Sequence, residues 1–429
     1  MGLEKVVNEI SENSYLSYKE QKQYIKNLVN KIKSNVNKIL IIPPDISRKH
    51  AGGGQLTEIL YHLLTDKNKL VEIMPALGTH DPMSKEKLIE MFGDKIPLEK
   101  FRVHNWREDT IEIGKIPVEY VSEVTENQIN QSISVMINKS LVRGEYDLII
   151  SIGQVVPHEV VGMANYTKNI LVGVGGFEII SVSHFVGAVA GVENIMGCDH
   201  SSVRKLYDYA ENNLLNNLPL LYILTVNSID IIKDSGLTRM LGIFSGRNRD
   251  IFEKAVELSQ KVNIIEVEKP FNKIIVYLDP KEFKTTWLGG KGIYRTRKAL
   301  ADGGEIILIA PGLNKFGEDK CNDHLIRKYG YVGTKKILKL VKENEELQNN
   351  LAAAAHMIQG SSEGRFKITV ACKDITEEEI KNVNFNYLSL EKAIEKYDID
   401  KMNPGVNIID GEVVLYVENP ATGLWIYKD

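Results

Sequence analysis

Four side chains in the first half of the chain are of types that move protons, attack electrophiles or bind metals. His80 closes the segment MPALGTH, where an apolar run ends in a Gly-Thr-His turn and Asp81-Pro82 with Ser84 open a helical pattern. An imidazole there stands at the carboxyl edge of a sheet, although a helix-entry turn residue is an equally good reading of these residues alone. His158 follows the apolar run LIISIGQVV as Pro157-His158 and precedes a glycine-containing loop. A histidine so placed can serve as a general base near neutral pH, but an ordinary loop histidine is the commoner case. Lys168 lies in NYTKNILVGVGGFE, between Tyr166-Thr167 and an apolar, glycine-rich stretch. Partial desolvation there makes an amine more nucleophilic and more easily acylated; the alternative is a surface lysine. His184 sits in IISVSHFVGAVAGVEN, where a ring must find a hydrogen-bond partner or a metal, and a satisfied core histidine is the default.

The sequence has no HExxH and no close His/Asp/Glu group, so the side chains alone do not surround a zinc ion, and a metal would need ligands from a cofactor. Two glycine-rich turns, Gly52-Gly53-Gly54 before QLTEILYHLL and Gly173–Gly176, have amides that suit a phosphate, yet neither matches a Walker loop or a dinucleotide fingerprint. Cys198, Cys321 and Cys372 are far apart and read as reduced thiols.

The elements that must position these residues follow one rule. Short apolar runs end in Gly, Pro or polar clusters and give way to helical patterns, as in KILIIPPDISRKHAGGGQLTEILYHLL, which is the signature of βα units and a largely parallel sheet. Further strand candidates are Leu70–Pro75, Leu148–Ile152, Leu220–Val226, Ile274–Leu278 and Gly304–Gly312. Asp45, Arg48, His80 and His158 each fall just after a strand, where ligands gather in such sheets. Ala352–Ala355 reads as helix. The expectation is an α/β protein of two domains, each a largely parallel sheet flanked by helices, with the active site in the cleft between them. The break is placed near EKPFN, giving a cofactor-binding and catalytic domain over 1–268 and a substrate-side domain over 269–429, whose last residues are expected to pack back on the first.

With 429 residues, 43% of them hydrophobic, the chain has enough apolar material for two cores. A formal charge of -4 and a pI near 6.2 leave no basic footprint for nucleic acid or an anionic membrane. The polar, mixed-charge N-terminus and short apolar runs point to a cytoplasmic protein with small-molecule partners, with room for a homo-oligomer.

Together these residues resemble the nickel-dependent lactate racemase family. His158, Lys168 and His184 reproduce its His, Lys and His in order, at gaps of ten and sixteen positions. PDISR is similar to the family's Asp-x-Thr-Arg segment, with Ser47 in place of Thr, and ALGTH is similar to its Gly-Thr-His turn. The resemblance implies a nickel pincer nucleotide attached covalently to Lys168 through a thioamide, with nickel held by one carbon, two sulfurs and His184. A soft cofactor-supplied donor set needs only one imidazole from the protein. It also implies racemisation or C2 epimerisation of a 2-hydroxy acid by reversible hydride transfer through a 2-oxo acid, with His80 and His158 as the paired bases and other proteins making and delivering the cofactor. Arg48 then matches an arginine near the substrate, and Asp45 positions the cofactor or Arg48 rather than titrating.

The last third departs from the family. Its Tyr-Gln-x-x-Lys segment is not clearly present, and TTWLGGKGIYRTRKAL offers Lys291 and Lys298, with Lys291 preferred at the substrate and Lys298 as a cofactor contact. AAAAHMIQGSSEGRF adds His356, Ser361, Ser362, Glu363 and Arg365 around a turn. His356 is the substrate contact expected here, and the polarity hints at a polyhydroxy acid such as gluconate, against a plain strand-entry turn. A nucleotide-binding member without turnover and a metal-free isomerase are the alternatives.

Overall fold

The computed structural model describes residues 9–10, 15–232 and 235–428. The chain divides into two compact units, one formed by 1–180 with 197–263 and the other by 181–196 with 264–429.

The first unit is built on five longer strands, β1 (Lys38–Ile42), β2 (Leu70–Ile73), β3 (Leu148–Gln154), β4 (Leu220–Ile232) and β5 (Leu237–Gly246). With a short strand at Glu9–Ile10 they form one sheet in the order 9–10, β5, β4, β3, β1, β2. The pairs from β4 to β2 are parallel, whereas β5 and the short strand run antiparallel at the edge. Ile39 to Ile42 are fully buried, as a strand covered on both faces requires. Helices α1 (Tyr18–Asn30) and α2 (Gly53–Thr65) cover one face, setting Tyr24, Ile25 and Leu28, and Leu56, Ile59 and Leu60, against Ile39, Ile41, Ile150 and Ile152. Ser17 caps α1 reciprocally with Glu20, a capping box legible in the sequence as SYKE.

Helix α3 (Phe177–Val189) carries His184, and the division between the units falls within it. It is followed in the first unit by α4 (Ser202–Asn213) and α5 (Arg249–Asn263).

The second unit holds β6 (Phe271–Tyr277), β7 (Leu300–Ile309), β8 (Lys367–Cys372), β9 (Asn386–Ser389), β10 (Gly405–Ile409) and β11 (Glu412–Val417). Their order is β9, β8, β7, β6, β11, β10, with every neighbour parallel except β10 and β11. Alternate residues serve opposite cores: Ile274, Val276, Ile306 and Leu308 face one, Ile275, Ile307 and Ile309 the other. Both units are thus α/β layers with largely parallel sheets.

The division differs from the expected one. Ile264–Val267, placed by sequence in the first domain, pairs in parallel with Leu424–Tyr427, so both belong to the second unit. The last strand therefore packs on its own unit. Residues 181–196 join it too, because Glu193 Oε1 holds Arg297 Nε at 2.7 Å and Arg365 Nη2 at 3.1 Å. No helix among the described residues is long and apolar enough to cross a membrane.

Candidate active site

Three parallel strands of the first unit deliver their following loops to one sheet edge. After β1, Asp45 caps a 3₁₀ turn over Ile46–Ala51, its carboxylate accepting from the Ser47 amide at 3.2 Å and the Ser47 hydroxyl at 2.5 Å. Its other oxygen lies 2.6 Å from His80 Nδ1. Burial would raise the Asp45 carboxyl, but the His80 hydrogen bond and charge, the Ser47 hydroxyl and the Arg48 charge outweigh it and hold the group below the usual carboxylate range. Asp45 is therefore an anion that accepts a hydrogen bond from His80 Nδ1.

The loop after β2 brings His80 to this carboxylate. Ala76 bridges Pro44 in the parallel sense, extending the β1–β2 pairing. Gly78, at φ +56, then turns the chain, its amide donating to Gly173 O at 2.9 Å, and the His80 amide closes the turn on Leu77 O. The sequence marked Asp45 as a cofactor or Arg48 partner; what it missed is the contact to His80, for which thirty-five positions of separation leave no periodic signal.

After β3, Pro157–His158 pairs antiparallel with Gly162–Met163. The Val160 amide donates to His158 Nδ1 at 3.0 Å, which puts the ring proton of neutral His158 on Nε2. Glu159 Oε2 lies 3.8 Å from the same nitrogen. The two expected bases thus differ in their Nδ1 contacts, His80 to the Asp45 carboxylate and His158 to the Val160 amide.

Lys168 precedes a π-helical turn over Asn169–Gly173, a conformation that is rare and found mostly at functional sites. Asn169 secures this turn to the sheet by donating to Ser151 Oγ at 2.8 Å and Ile42 O at 3.2 Å. On its far side His104, itself held by Asn138, bonds Gly175 O at 3.0 Å. Burial, then the charge of Arg48, pushes the Lys168 amine down to about 8 against the opposing pull of Glu159 and Asp45. No hydrogen bond or ion pair engages Nζ among the described residues. A buried amine that is substantially neutral near pH 8 suits acylation. The Arg48 guanidinium is half-buried and likewise makes no ion pair among the described residues, leaving its planar fork for an anion.

The glycine turns have packing reasons. A Cβ on Gly54 would stand 1.8 Å from the Met91 carbonyl oxygen, and one on Gly175 1.8 Å from the Leu171 carbonyl oxygen. Close backbone approach accounts for both, and no phosphate is needed to explain them.

The remaining candidates belong to the second unit. His184 is half-buried on α3. Lys291 lies 3.7 Å from Glu282 and over the Phe283 ring, while Lys298 donates to Glu193 O at 3.1 Å. His356 differs from its expected role as a substrate contact. Tyr294 Oη lies 2.9 Å from its Nδ1, Tyr331 Oη 2.9 Å from its Nε2, and Trp287 stacks on the ring, so both nitrogens are spent in the core. Ser361 to Arg365 form the entry to β8: Glu363 takes the Thr334 amide and hydroxyl, and Arg365 binds Glu193 and Asp302. No group of three or more His, Cys, Asp or Glu that could hold a metal occurs among the described residues.

The loops after β1, β2 and β3 carry the half-buried Arg48, His80 held by Asp45, and His158 with Lys168, at the carboxyl edge of a parallel sheet where ligands gather in α/β proteins. Residues 4–197 match the lactate racemase N-terminal domain. The fold extends over the whole chain in solved structures. A crystal structure of a protein from Thermotoga maritima matches 97% of this chain and 100% of its own at 23% identity and a TM-score of 0.83. The lactate racemase apoprotein from Thermoanaerobacterium thermosaccharolyticum matches 97% and 94% at 17% identity and a TM-score of 0.69. No curated protein matches the chain.

Proposed function

We propose that this chain is a 2-hydroxyacid racemase or C2 epimerase that carries a nickel pincer nucleotide on Lys168, with His184 as the protein ligand to nickel. The observation that carries the reading is that His80 and His158 follow the two strands that flank β1, with Nδ1 of the first on the Asp45 carboxylate and Nδ1 of the second on the Val160 amide. Inversion through a 2-oxo acid needs one group to take the hydroxyl proton and another to return one.

The chain's residues fit such a group. The uncharged fraction of the Lys168 amine, with no hydrogen bond or ion pair of its own, suits an acyl link, and one imidazole completes a soft, cofactor-supplied donor set. When bound, the cofactor supplies a reversible hydride acceptor. Arg48 binds the substrate carboxylate or the 2-oxo oxygen through its fork. His80 Nε2 accepts the hydroxyl proton while Asp45 holds the ring and stabilises its charged form. His158, in its protonated form, returns a proton to the same oxygen on the opposite face, and in the reverse direction the two histidines exchange roles. The substrate is lactate or a larger sugar acid such as gluconate, and cofactor-maturation proteins are the expected partners.

The test is intact-protein mass and nickel content of native-source protein, then incubation with single enantiomers of lactate and gluconate in deuterated water. Added mass lost in Lys168→Ala, with inversion that retains the C2 hydrogen, is the expected result. Extensive deuterium at C2 would sink the hydride route, and inversion by Lys168→Ala would point to a metal-free isomerase. Bound cofactor without turnover would leave a nucleotide-binding protein.

A further inference from the structure

The segment that delivers Lys168 is strained and held from behind. Asn165 and Tyr166, both non-glycine, occupy consecutive left-handed conformations at φ 70 and φ 58, which local interactions and surrounding packing must compensate. Asn165 contributes locally by accepting from the Tyr166 amide at 2.7 Å, and Gly153 is needed opposite, because a Cβ there would stand 1.8 Å from Asn165 Nδ2.

The principal clamp is Arg204, on the first turn of α4 and without solvent exposure. Its Nη1 donates to Thr167 Oγ1 at 2.8 Å, and its Nη2 to Met163 O at 2.7 Å and Asn165 O at 3.2 Å. The guanidinium also lies 4.3 Å from the centre of the Phe252 ring. Ser201, which caps α4, donates to Val161 O at 2.9 Å, so helix and loop are joined twice. Three fork contacts to residues 163, 165 and 167 hold the peptide that ends at Lys168.

From this arrangement we infer that Arg204 is a positioning residue for Lys168, acting through the 163–167 turn to present its amine to the group that acylates it. A fully buried cation costs several kcal/mol to desolvate, and this one is held by loop oxygens with Asp208 as its leading counter-charge. Its charge also adds to the effects that depress the Lys168 amine. The inference rests on Lys168 being the point of covalent attachment, but its test does not need the cofactor.

The full chain, made without cofactor, is treated with limiting N-hydroxysuccinimidyl acetate across pH, and Lys168 acetylation is followed by peptide mass spectrometry. The amine attacks the ester carbonyl, an amide forms, N-hydroxysuccinimide leaves and the amine proton passes to water. Arg204→Leu removes fork and charge: acetylation at pH 7 is expected to slow about tenfold, with the midpoint raised. Arg204→Lys keeps charge without the fork, so acetylation slows at a nearly unchanged midpoint. Thr167→Val removes one fork contact and slows it likewise, and Thr167→Ser restores the rate. The Thr167 pair decides the matter if neither Arg204 variant folds. Wild-type rate and midpoint in every folded variant overturn the inference. Failure of the attachment reading shows separately, as native-source protein with no added mass on Lys168.

Discussion

At the scale of single residues, the Asp45 carboxylate and the Lys168 amine are each displaced by their surroundings, and both displacements have measurable consequences. Asp45→Asn keeps the size of the side chain but removes the anion that stabilises charged His80. The expected result is a fall in kcat of about 10- to 100-fold with KM little changed. A proportional rise in KM instead would mean that Asp45 serves binding. The depressed Asp45 carboxyl contributes stability that is present above the unfolded carboxyl value and lost as pH falls through the folded one. Asp45→Asn should therefore narrow its stability gap to wild type on acidification below about pH 4. Lys168 has the opposite sense. Its folded value of about 8 lies below the unfolded one, so burying the ammonium is unfavourable at neutral pH and the penalty fades as pH rises toward the unfolded lysine value. Lys168→Met is expected to raise the melting temperature at pH 7 and to lose that advantage by about pH 10.5. A gain that does not vary with pH would refute burial of the charge as its cause.

Secondary-structure elements set these residues by close backbone approach. Helix α2 starts against the Met91 carbonyl, at the end of the helix Lys85–Phe92, with room only for glycine at position 54. Gly54→Ala must displace backbone and should cost about 2–3 kcal/mol in urea unfolding of the first unit. Stability within about 0.5 kcal/mol of wild type would contradict the contact. Much at this scale was legible in the sequence. The apolar runs of β1, β2, β3, β6 and β7, the Ser84 cap and the 351–359 helix all carry local signals of period, propensity or capping. The π-helical turn after Lys168 and the left-handed pair before it carried none, because tertiary contacts to Ser151, Ile42 and Arg204 hold them.

For the molecule as a whole, two sheets are built by one chain that crosses between units more than once. Residues 181–196, which include the proposed nickel ligand, belong to the second unit through Glu193, Arg297 and Arg365. Glu193→Gln should weaken this tie by about 1–2 kcal/mol and speed amide hydrogen exchange in 181–196. Exchange unchanged there would show that apolar contacts of Val192 and Met196 suffice.

By itself the sequence determined the α/β class, the candidate residues of the sheet edge and the ordered His158, Lys168 and His184 that carry the family resemblance. Each is carried by short-range pattern or by residue type at fixed spacing. Only the tertiary structure decided which partners these side chains have. Asp45 meets His80 through neighbouring parallel strands, Arg204 reaches back to the turn before Lys168, and His356 is consumed by Tyr294 and Tyr331. Such contacts join residues twenty-five to sixty-two positions apart, beyond any helical or strand period, and ring tautomers and amine protonation depend on them. The trio therefore emerges with one member refined by the fold: the Val160 amide occupies His158 Nδ1.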